Sequence, residues 1–388
     1  MTTATIEAAD LVPAARAAIP ALRDDAGNCE RERRLAEASV RALREAGAYR
    51  MVMPRAWGGP EADPVTQIRM VEELSIGNAS AGWCAMIGSD GGYVTAFLDQ
   101  QVGRELYRDL DAVTAVVTRP SAVATVVPGG YRVSGQFQFA SGCRAATYFV
   151  GNCFVHEGGK PLTDQAGAPI TRMCLMRMSE CEILDTWTTT GLRGTGSHDV
   201  AVKEVFVPEE HTFNMVTSPI TREGPLYAFR SMYIANGAGV PFGLARAAID
   251  AVKEIAETKT VRLGGGGLRN EPFAHTALAR AESLLGSARA YCYDVMGDVW
   301  QTLQRGDQPD PQQRAKFRLC MASSSHMSGE AVTLMYQVAG SAALYATNPL
   351  DRIMRDMTTV NQHVANQLKV YETAGRMLFG LEPGAAGW

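Results

Sequence analysis

The sequence predicts an α+β chain in three successive blocks: helical over 1–110, β-rich over 111–222, and helical again over 223–388. Three observations carry this. Helix-forming residues with apolar positions one turn apart fill the first block. Apolar/polar alternation between Gly and Pro turns fills the second. Long amphipathic patterns fill the third. With no internal repeat, helices before and after a compact β-block suggest three packed layers.

In the first block, Glu30 to Ala46 is rich in Arg, Glu, Leu and Ala and is expected to be one helix. Asp63-Pro64 marks a second start, with Asp as cap and Pro in the first turn. Val65, Ile68, Val71 and Leu74 follow at one-turn spacing and should face a core. Leu98 to Leu110 is a shorter amphipathic piece. In the second block, Ala112 to Val117 is a β-branched run and Pro128-Gly129-Gly130 a turn. Tyr131, Val133, Phe137 and Phe139 then alternate with polar residues, as in a half-buried strand. Ala146–Val155 and Ala201–Val207 are further strands. In the third block, Leu244, Ala248, Ala251 and Ile255 mark one helix face. Thr276–Leu303, Asp310–Val338 and Asp351–Leu381 complete the helices. Gly264 to Gly267 follows no strand and lacks a P-loop Lys, so it is expected to be a helix–helix connection.

Composition narrows the function classes. The chain has 388 residues, 46% hydrophobic and 20% charged, an ordinary globular balance. Its formal charge is −4, from 37 basic and 41 acidic side chains, without a Lys/Arg run. A nucleic-acid or anionic-membrane partner is therefore not indicated. The eight cysteines are scattered, with no Cys-x-x-Cys pair and no His at ligand spacing. They read as buried thiols of a reducing compartment, and no metal site is expected. Glu7, Asp10, Arg16, Arg23, Asp24 and Asp25 argue against a signal peptide, and no apolar run reaches about 18 residues. A soluble, cytoplasmic protein is expected. No Gly-x-Gly-x-x-Gly follows a strand, so no nicotinamide site is expected either.

Four segments carry the chemistry. The first is Met53-Pro54-Arg55-Ala56-Trp57-Gly58-Gly59-Pro60, with Val71-Glu72-Glu73-Leu74 and Ser80-Ala81-Gly82-Trp83 after it. The second, Phe137-Gln138-Phe139-Ala140-Ser141-Gly142-Cys143, places a hydroxyl at a strand end, where it can hydrogen-bond a flat heterocycle packed on the strand. The third is Thr190-Gly191-Leu192-Arg193-Gly194-Thr195-Gly196-Ser197-His198, followed by Val205-Phe206-Val207-Pro208. Gly194 and Gly196 are expected in conformations other residues resist, and His198 at the surface. The fourth runs from Gln337-Val338-Ala339-Gly340 to Arg355-Asp356 and on to Gln362-His363-Val364.

Together these segments resemble the acyl-CoA dehydrogenase fold, in the version used by two-component flavin monooxygenases. The resemblance implies an N-terminal helical domain, a central β-barrel-like domain and a C-terminal four-helix bundle, with flavin between the last two. In the dehydrogenases a catalytic Glu follows the Arg-Asp by eight residues; that position here is Val364, preceded by His363. Valine cannot take a proton, whereas histidine can near neutrality. The dehydrogenase acidic loop is here Thr118-Arg119-Pro120-Ser121-Ala122-Val123, without its acid. The Arg that grips the ADP half of FAD falls near Gly266; Arg269 could substitute, or the flavin could be FMN.

The resemblance thus implies an oxygenase component that uses reduced flavin (FADH2 or FMNH2) and O2, through a C4a-hydroperoxide, to hydroxylate or epoxidise a phenol, indole or polyketide. It implies His363 and Ser141 as catalytic residues, and Thr118, Phe139, Ser141, Gln337, Gly340 and Gln362 at the cofactor. Trp83, Ser89, Asp90 and Val364 would form the substrate pocket, with the Gly91-Gly92 pair opening volume for a bulky ring. Partners implied are a separate NAD(P)H-dependent flavin reductase, an aromatic small molecule, and further copies in a homotetramer or dimer. Three alternatives stay open: an N-oxygenase acting on an amine or amino sugar, a dehydrogenase whose base has moved to another helix, such as Glu330, and a non-catalytic flavin-binding relative.

Overall fold

The computed structural model describes residues 6–260 and 266–384. Helices α1 (Ala8–Glu32), α2 (Glu37–Glu45), α3 (Pro64–Gly77), α4 (Ala79–Gly88), α5 (Gly91–Thr95) and α6 (Gln100–Leu106) come first. Strands β1 (Thr114–Val127), β2 (Gly130–Phe137), β3 (Tyr148–Glu157), β4 (Lys160–Pro161), β5 (Thr171–Arg177), β6 (Glu182–Leu184), β7 (Asp199–Pro208) and β8 (Thr212–Phe213) follow. Helices α7 (Pro225–Ala228), α8 (Gly239–Thr258), α9 (Pro272–Gln304), α10 (Pro311–Ala339), α11 (Pro349–Val360) and α12 (Lys369–Leu378) complete the chain. Gly264 and Gly265 of the glycine loop lie outside the described residues.

Several local signals act as expected. Asp63 caps α3 through the Val65 and Thr66 amides at 3.0 and 3.1 Å. Asp310 closes a capping box with Gln313 at the start of α10. The expected helix over Glu30–Ala46 is two helices instead. Arg33 turns left-handed at φ 52°, and α2 restarts at Glu37. The cause is long-range. Buried Asp25 accepts the Ser39 amide and hydroxyl at 3.2 and 2.6 Å, capping α2 from the neighbouring helix. The pattern over Asp351–Leu381 is likewise broken, between α11 and α12, and the break holds His363.

The eight strands follow the order β6-β7-β2-β1-β3-β5-β8, with β4 on β3. The pairs are antiparallel except β1 with β3. The order is open, although the sheet curls enough for β5 to touch β7. Thr118 sits inside β1, not in a loop; the register shifts between Val117 and Ala122 instead. Strand β3 is continuously apolar because both faces are covered. Phe149 and Cys153 join the core of one face, Tyr148 and Val150 that of the other. The two helical blocks share one core, through α3 against α8.

One buried ion pair ties the helices to the sheet. Arg50 meets Asp111, just before β1, with both side chains almost wholly covered. Removing one partner leaves an uncompensated buried charge. Arg50→Ala is expected to cost about 3–5 kcal/mol in urea unfolding; a loss near zero would show the pair is not structurally used.

Candidate active site

Helix α4 is fixed by an Asn78 cap on the Ser80 amide at 3.0 Å, and it presents Trp83 half-buried on the side facing the sheet. The Trp83 Nε1–H donates to Ser141 Oγ at 3.0 Å. Ser141 Oγ lies 2.7 Å from Ser197 Oγ, which lies 2.7 Å from Thr195 Oγ1, and Thr195 donates to the Leu192 carbonyl at 2.7 Å. Each hydroxyl has one proton. The proton of Thr195 goes to Leu192, so Ser197 donates to Thr195 and Ser141 to Ser197. Ser141 therefore has no proton to give away. It keeps a lone pair for an outside donor.

The strand-end loop is locked to the same turn. Ala140 N–H bonds the His198 carbonyl at 3.1 Å, and Gly142 N–H the Thr195 carbonyl at 2.9 Å. Phe139 is held at φ 65°, rare for an aromatic residue, with its ring 61% exposed and edge-on to Trp187. The turn itself is clamped by α11. Asp356 Oδ1 accepts the Leu192 N–H at 2.6 Å, and Arg355 reaches the Thr190 carbonyl at 2.6 Å. A Cβ on Gly191 would stand 2.1 Å from the Arg355 carbonyl, so only Gly allows this approach. Gly196 does take positive φ, at 52°; Gly194 is needed for space, since its Cβ would meet Cys29 at 2.9 Å. Leu192 itself is left-handed, at φ 49°.

The circuit closes at His363. Its ring is edge-on to Trp83, with centroids 5.3 Å apart at 79°. It is solvent-accessible, yet the protein around it desolvates the ring and lowers its pKa below the usual 6.5. Nδ1 accepts the Ala365 N–H at a long 3.4 Å, capping the turn Val364–Asn366. His363 is thus a neutral imidazole with one weakly used nitrogen. Beside it, Val364 is 69% exposed.

Not every expected residue joins this cluster. Ser89 is fully covered, and its hydroxyl donates back to the Met86 carbonyl at 2.9 Å, so it does not face a pocket. Gly91 and Gly92 open no volume, since a Cβ there would meet Tyr107 at 2.4 Å and the Val52 carbonyl at 2.2 Å. Asp90 and Thr118 instead line a separate aromatic cavity. Gln337, Gly340 and Gln362 are exposed, and among the described residues no hydrogen bond or ring contact joins them to Trp83 or Ser141. His198 is not at the surface. It is 1% exposed, and its Nδ1 accepts the Trp187 N–H at 3.2 Å, although Asp185 Oδ1 is also 3.5 Å away. Burial lowers its pKa, so the neutral acceptor form is preferred over an ion pair. Glu330 is spent on a surface pair with Arg280 at 3.0 Å, which removes it as a relocated base. Arg269 is likewise paired at the surface, with Glu257 at 3.1 Å. The contributions of Thr195 and Ser197 escaped sequence reading, although two hydroxyls alternating with glycines before an apolar strand were a usable signal.

The open Ser141 lone pair and the exposed apolar side chains of Phe139 and Val364 fit a flat heterocycle with a ring N–H. Comparison with known proteins agrees. Residues 13–102 match the family described as acyl-CoA dehydrogenase, N-terminal domain, and 237–368 the acyl-CoA dehydrogenase, C-terminal domain. Indole-3-acetate monooxygenase of Pseudomonas putida is 30% identical over 375 residues, covering 96% of this chain and 94% of that protein. The chain belongs to the flavin-dependent monooxygenases of the acyl-CoA dehydrogenase fold. A second relative of this monooxygenase is the FADH2-dependent resorcinol hydroxylase, oxygenase component, of Rhizobium sp., 29% identical over 93% of this chain and 92% of that one. The crystal structure of 3-HSA hydroxylase from Rhodococcus sp. RHA1 superposes with TM-score 0.87 at 27% identity, covering 96% and 97% of the two chains.

In this monooxygenase the Asp356 clamp is itself pH-sensitive. Burial pushes its pKa up to about 7 from 3.8, against the pull of the Leu192 N–H and Arg352. The folded state therefore holds the proton more tightly than the unfolded chain. The stability this contributes is complete below about pH 4 and is lost as pH rises through about 7. Asp356→Asn removes the slope. Between about pH 5 and pH 8, wild type should lose about 2–3 kcal/mol relative to the variant in urea unfolding; parallel curves would contradict the raised pKa.

Proposed function

We propose that the chain is the oxygenase component that inserts oxygen into an aromatic phenol, indole or polyketide-type substrate, with flavin reduced by a separate NAD(P)H-dependent reductase. The carrying observation is Trp83, which bonds Ser141 on one side and meets His363 on the other. When bound, reduced flavin would supply the two electrons with which O2 gives one oxygen atom to the substrate and the other to water. The residues do the rest. Ser141 offers its open lone pair to a ring N–H, which reduced flavin has and oxidised flavin lacks at the central ring. Phe139 and Val364 would supply the apolar cover that such a ring needs.

His363 takes the proton from a phenol O–H or indole N–H, raising the nucleophilicity of the ring. Only the long Ala365 contact is lost when Nδ1 is used. Exposed apolar side chains near the C-terminus, among them Leu344, Tyr345, Leu368 and Phe379 (87% exposed), support a homotetramer, or at least a dimer. In such an assembly Gln337, Gly340 and Gln362 approach the flavin of a neighbouring copy. Among the described residues no helix is long and apolar enough to cross a membrane; cytoplasmic residence is part of the proposal.

The test is flavin binding by redox state. Wild type should hold reduced flavin about tenfold more tightly than oxidised, a difference of one hydrogen bond. Ser197→Ala frees the Ser141 proton, so the preference should shrink. Equal preference in the two proteins would contradict the role of Ser141. Reduction of bound oxidised flavin by an acyl-CoA thioester would contradict the oxygenase reading itself.

A further inference from the structure

Between α2 and the loop that follows Ser141 lies a recess of about 360 Å³, within the range of small-molecule sites, about 300–1,000 Å³. Its wall is basic, although the chain as a whole carries −4. Arg41 and Arg44 stand three apart on α2 and so share a face. Arg34 comes from the break before α2, next to left-handed Arg33. Arg144 comes from the turn Cys143–Ala145, just after Ser141. Glu37 is the one acid in the wall. The fold itself uses two of these cations, pairing Arg34 with Glu32 at 3.0 Å and Arg44 with Asp109 at 3.2 Å. Among the described residues no hydrogen bond or ion pair engages the side chain of Arg41 or Arg144.

A second observation lies beneath these cations. Tyr49 lines the recess and is 1% exposed, and its hydroxyl has no hydrogen-bond partner among the described residues. Buried hydroxyls are ordinarily paired, so this one calls for an acceptor that the folded chain does not supply. Asp111, the acid that acts on it, is committed to Arg50. Burial keeps the phenol protonated, so it is a donor. Leu35, Val40, Val113 and Ala145 complete the wall with apolar surface.

We propose that this recess binds a phosphate ester of nucleotide size, its phosphoryl group held by Arg41, Arg144 and the Tyr49 hydroxyl and its organic part resting on the apolar wall. A phosphoryl group offers three oxygens and up to two negative charges, which suits two guanidinium forks and one phenol donor. A carboxylate has one oxygen fewer and leaves a donor unused. The site does not depend on the oxygenase reading, but it is built on the same loop. Gly142 N–H donates to the Thr195 carbonyl at 2.9 Å and the Cys84 thiol to the same carbonyl at 3.7 Å, and all three residues line the recess. Thr195 also belongs to the hydroxyl chain that leaves Ser141 its open lone pair. An occupant therefore rests on residues that fix Ser141.

The experiment is calorimetric titration of the protein held in saturating FAD, with AMP, inorganic phosphate and adenosine as probes. AMP should bind once per chain, at least about tenfold more tightly than adenosine, which lacks the phosphoryl group. It should also bind more tightly than inorganic phosphate, which lacks the organic part. Arg41→Gln and Arg144→Gln should each weaken AMP by about tenfold, the loss of a charge-assisted hydrogen bond. Tyr49→Phe breaks no bond within the protein and should weaken AMP by about fivefold with the urea midpoint unchanged. Arg23→Gln, outside the recess, should leave AMP affinity as it is. Equal binding of AMP and adenosine, AMP no tighter than inorganic phosphate, or unchanged AMP affinity in both arginine variants overturns the proposal. So does release of FAD by AMP, because the phosphate would then occupy the site of the flavin. The comparison of probes on wild type needs no variant to fold.

Discussion

His363→Ala should lower product formation by about 10²–10⁴-fold, the range for a positioned proton-transfer group. Flavin binding should change little, because the hydroxyl chain from Trp83 to Leu192 does not pass through the imidazole. His363→Gln keeps an acceptor for the Ala365 N–H but cannot move a proton, so it should be as inactive as Ala. A merely structural His363 would be rescued by Gln, and that rescue would remove it from the chemistry. The pH profile gives an independent reading. Because the pKa lies below 6.5, the neutral base persists there, and activity should fall only at still lower pH. A fall beginning above pH 6.5 would contradict the environment described.

Gly191→Ala should be strongly destabilising, since among the described glycines its added Cβ makes the shortest approach to backbone. Its Cβ would stand 2.1 Å from the Arg355 carbonyl and 2.6 Å from Thr359 Oγ1, both on α11. Backbone cannot yield as a flexible side chain can, so the turn must separate from α11. The expected loss is about 3 kcal/mol, the upper range for overpacking. Because Leu192 anchors both the Asp356 bond and the hydroxyl chain, the preference for reduced flavin should fall as well. Gly286 in α9 is the matched control. Nothing lies within 4 Å of its added Cβ. Gly286→Ala should therefore stabilise by up to about 1 kcal/mol through helix propensity. Equal effects at the two positions would contradict the close approach at Gly191.

The gap between sequence and structure follows the range of the interactions. Helix starts at Asp63 and Asp310 were legible because a cap acts within three residues. The alternating strand before Phe137 was legible for the same reason. The break at Arg33 was not, because its cause is a side chain on the neighbouring helix. Thr118 read as a loop through the resemblance to the dehydrogenase loop, whereas pairing with β2 and β3 carries the strand through. His198 read as exposed in a Gly-rich turn, but the turn is pressed between the sheet and α11. At the site, Ser141 and His363 were legible through their motifs. What joins them was not: Trp83 comes from a third element, and the direction of the hydroxyl chain depends on one carbonyl, that of Leu192. Asp90 was legible as a pocket residue, but that its Oδ1 has no hydrogen-bond partner was visible only in three dimensions.

The central claim is that oxygen transfer takes place where Trp83 joins Ser141 to His363. The most direct measurement is a single turnover with chemically reduced flavin, isotope-labelled O2 and indole, on wild type and on His363→Ala. Wild type should give a product carrying one labelled oxygen atom per flavin oxidised. The variant should oxidise the same flavin but release the label as peroxide. Unlabelled product from wild type, or equal labelled product from both proteins, would contradict the claim.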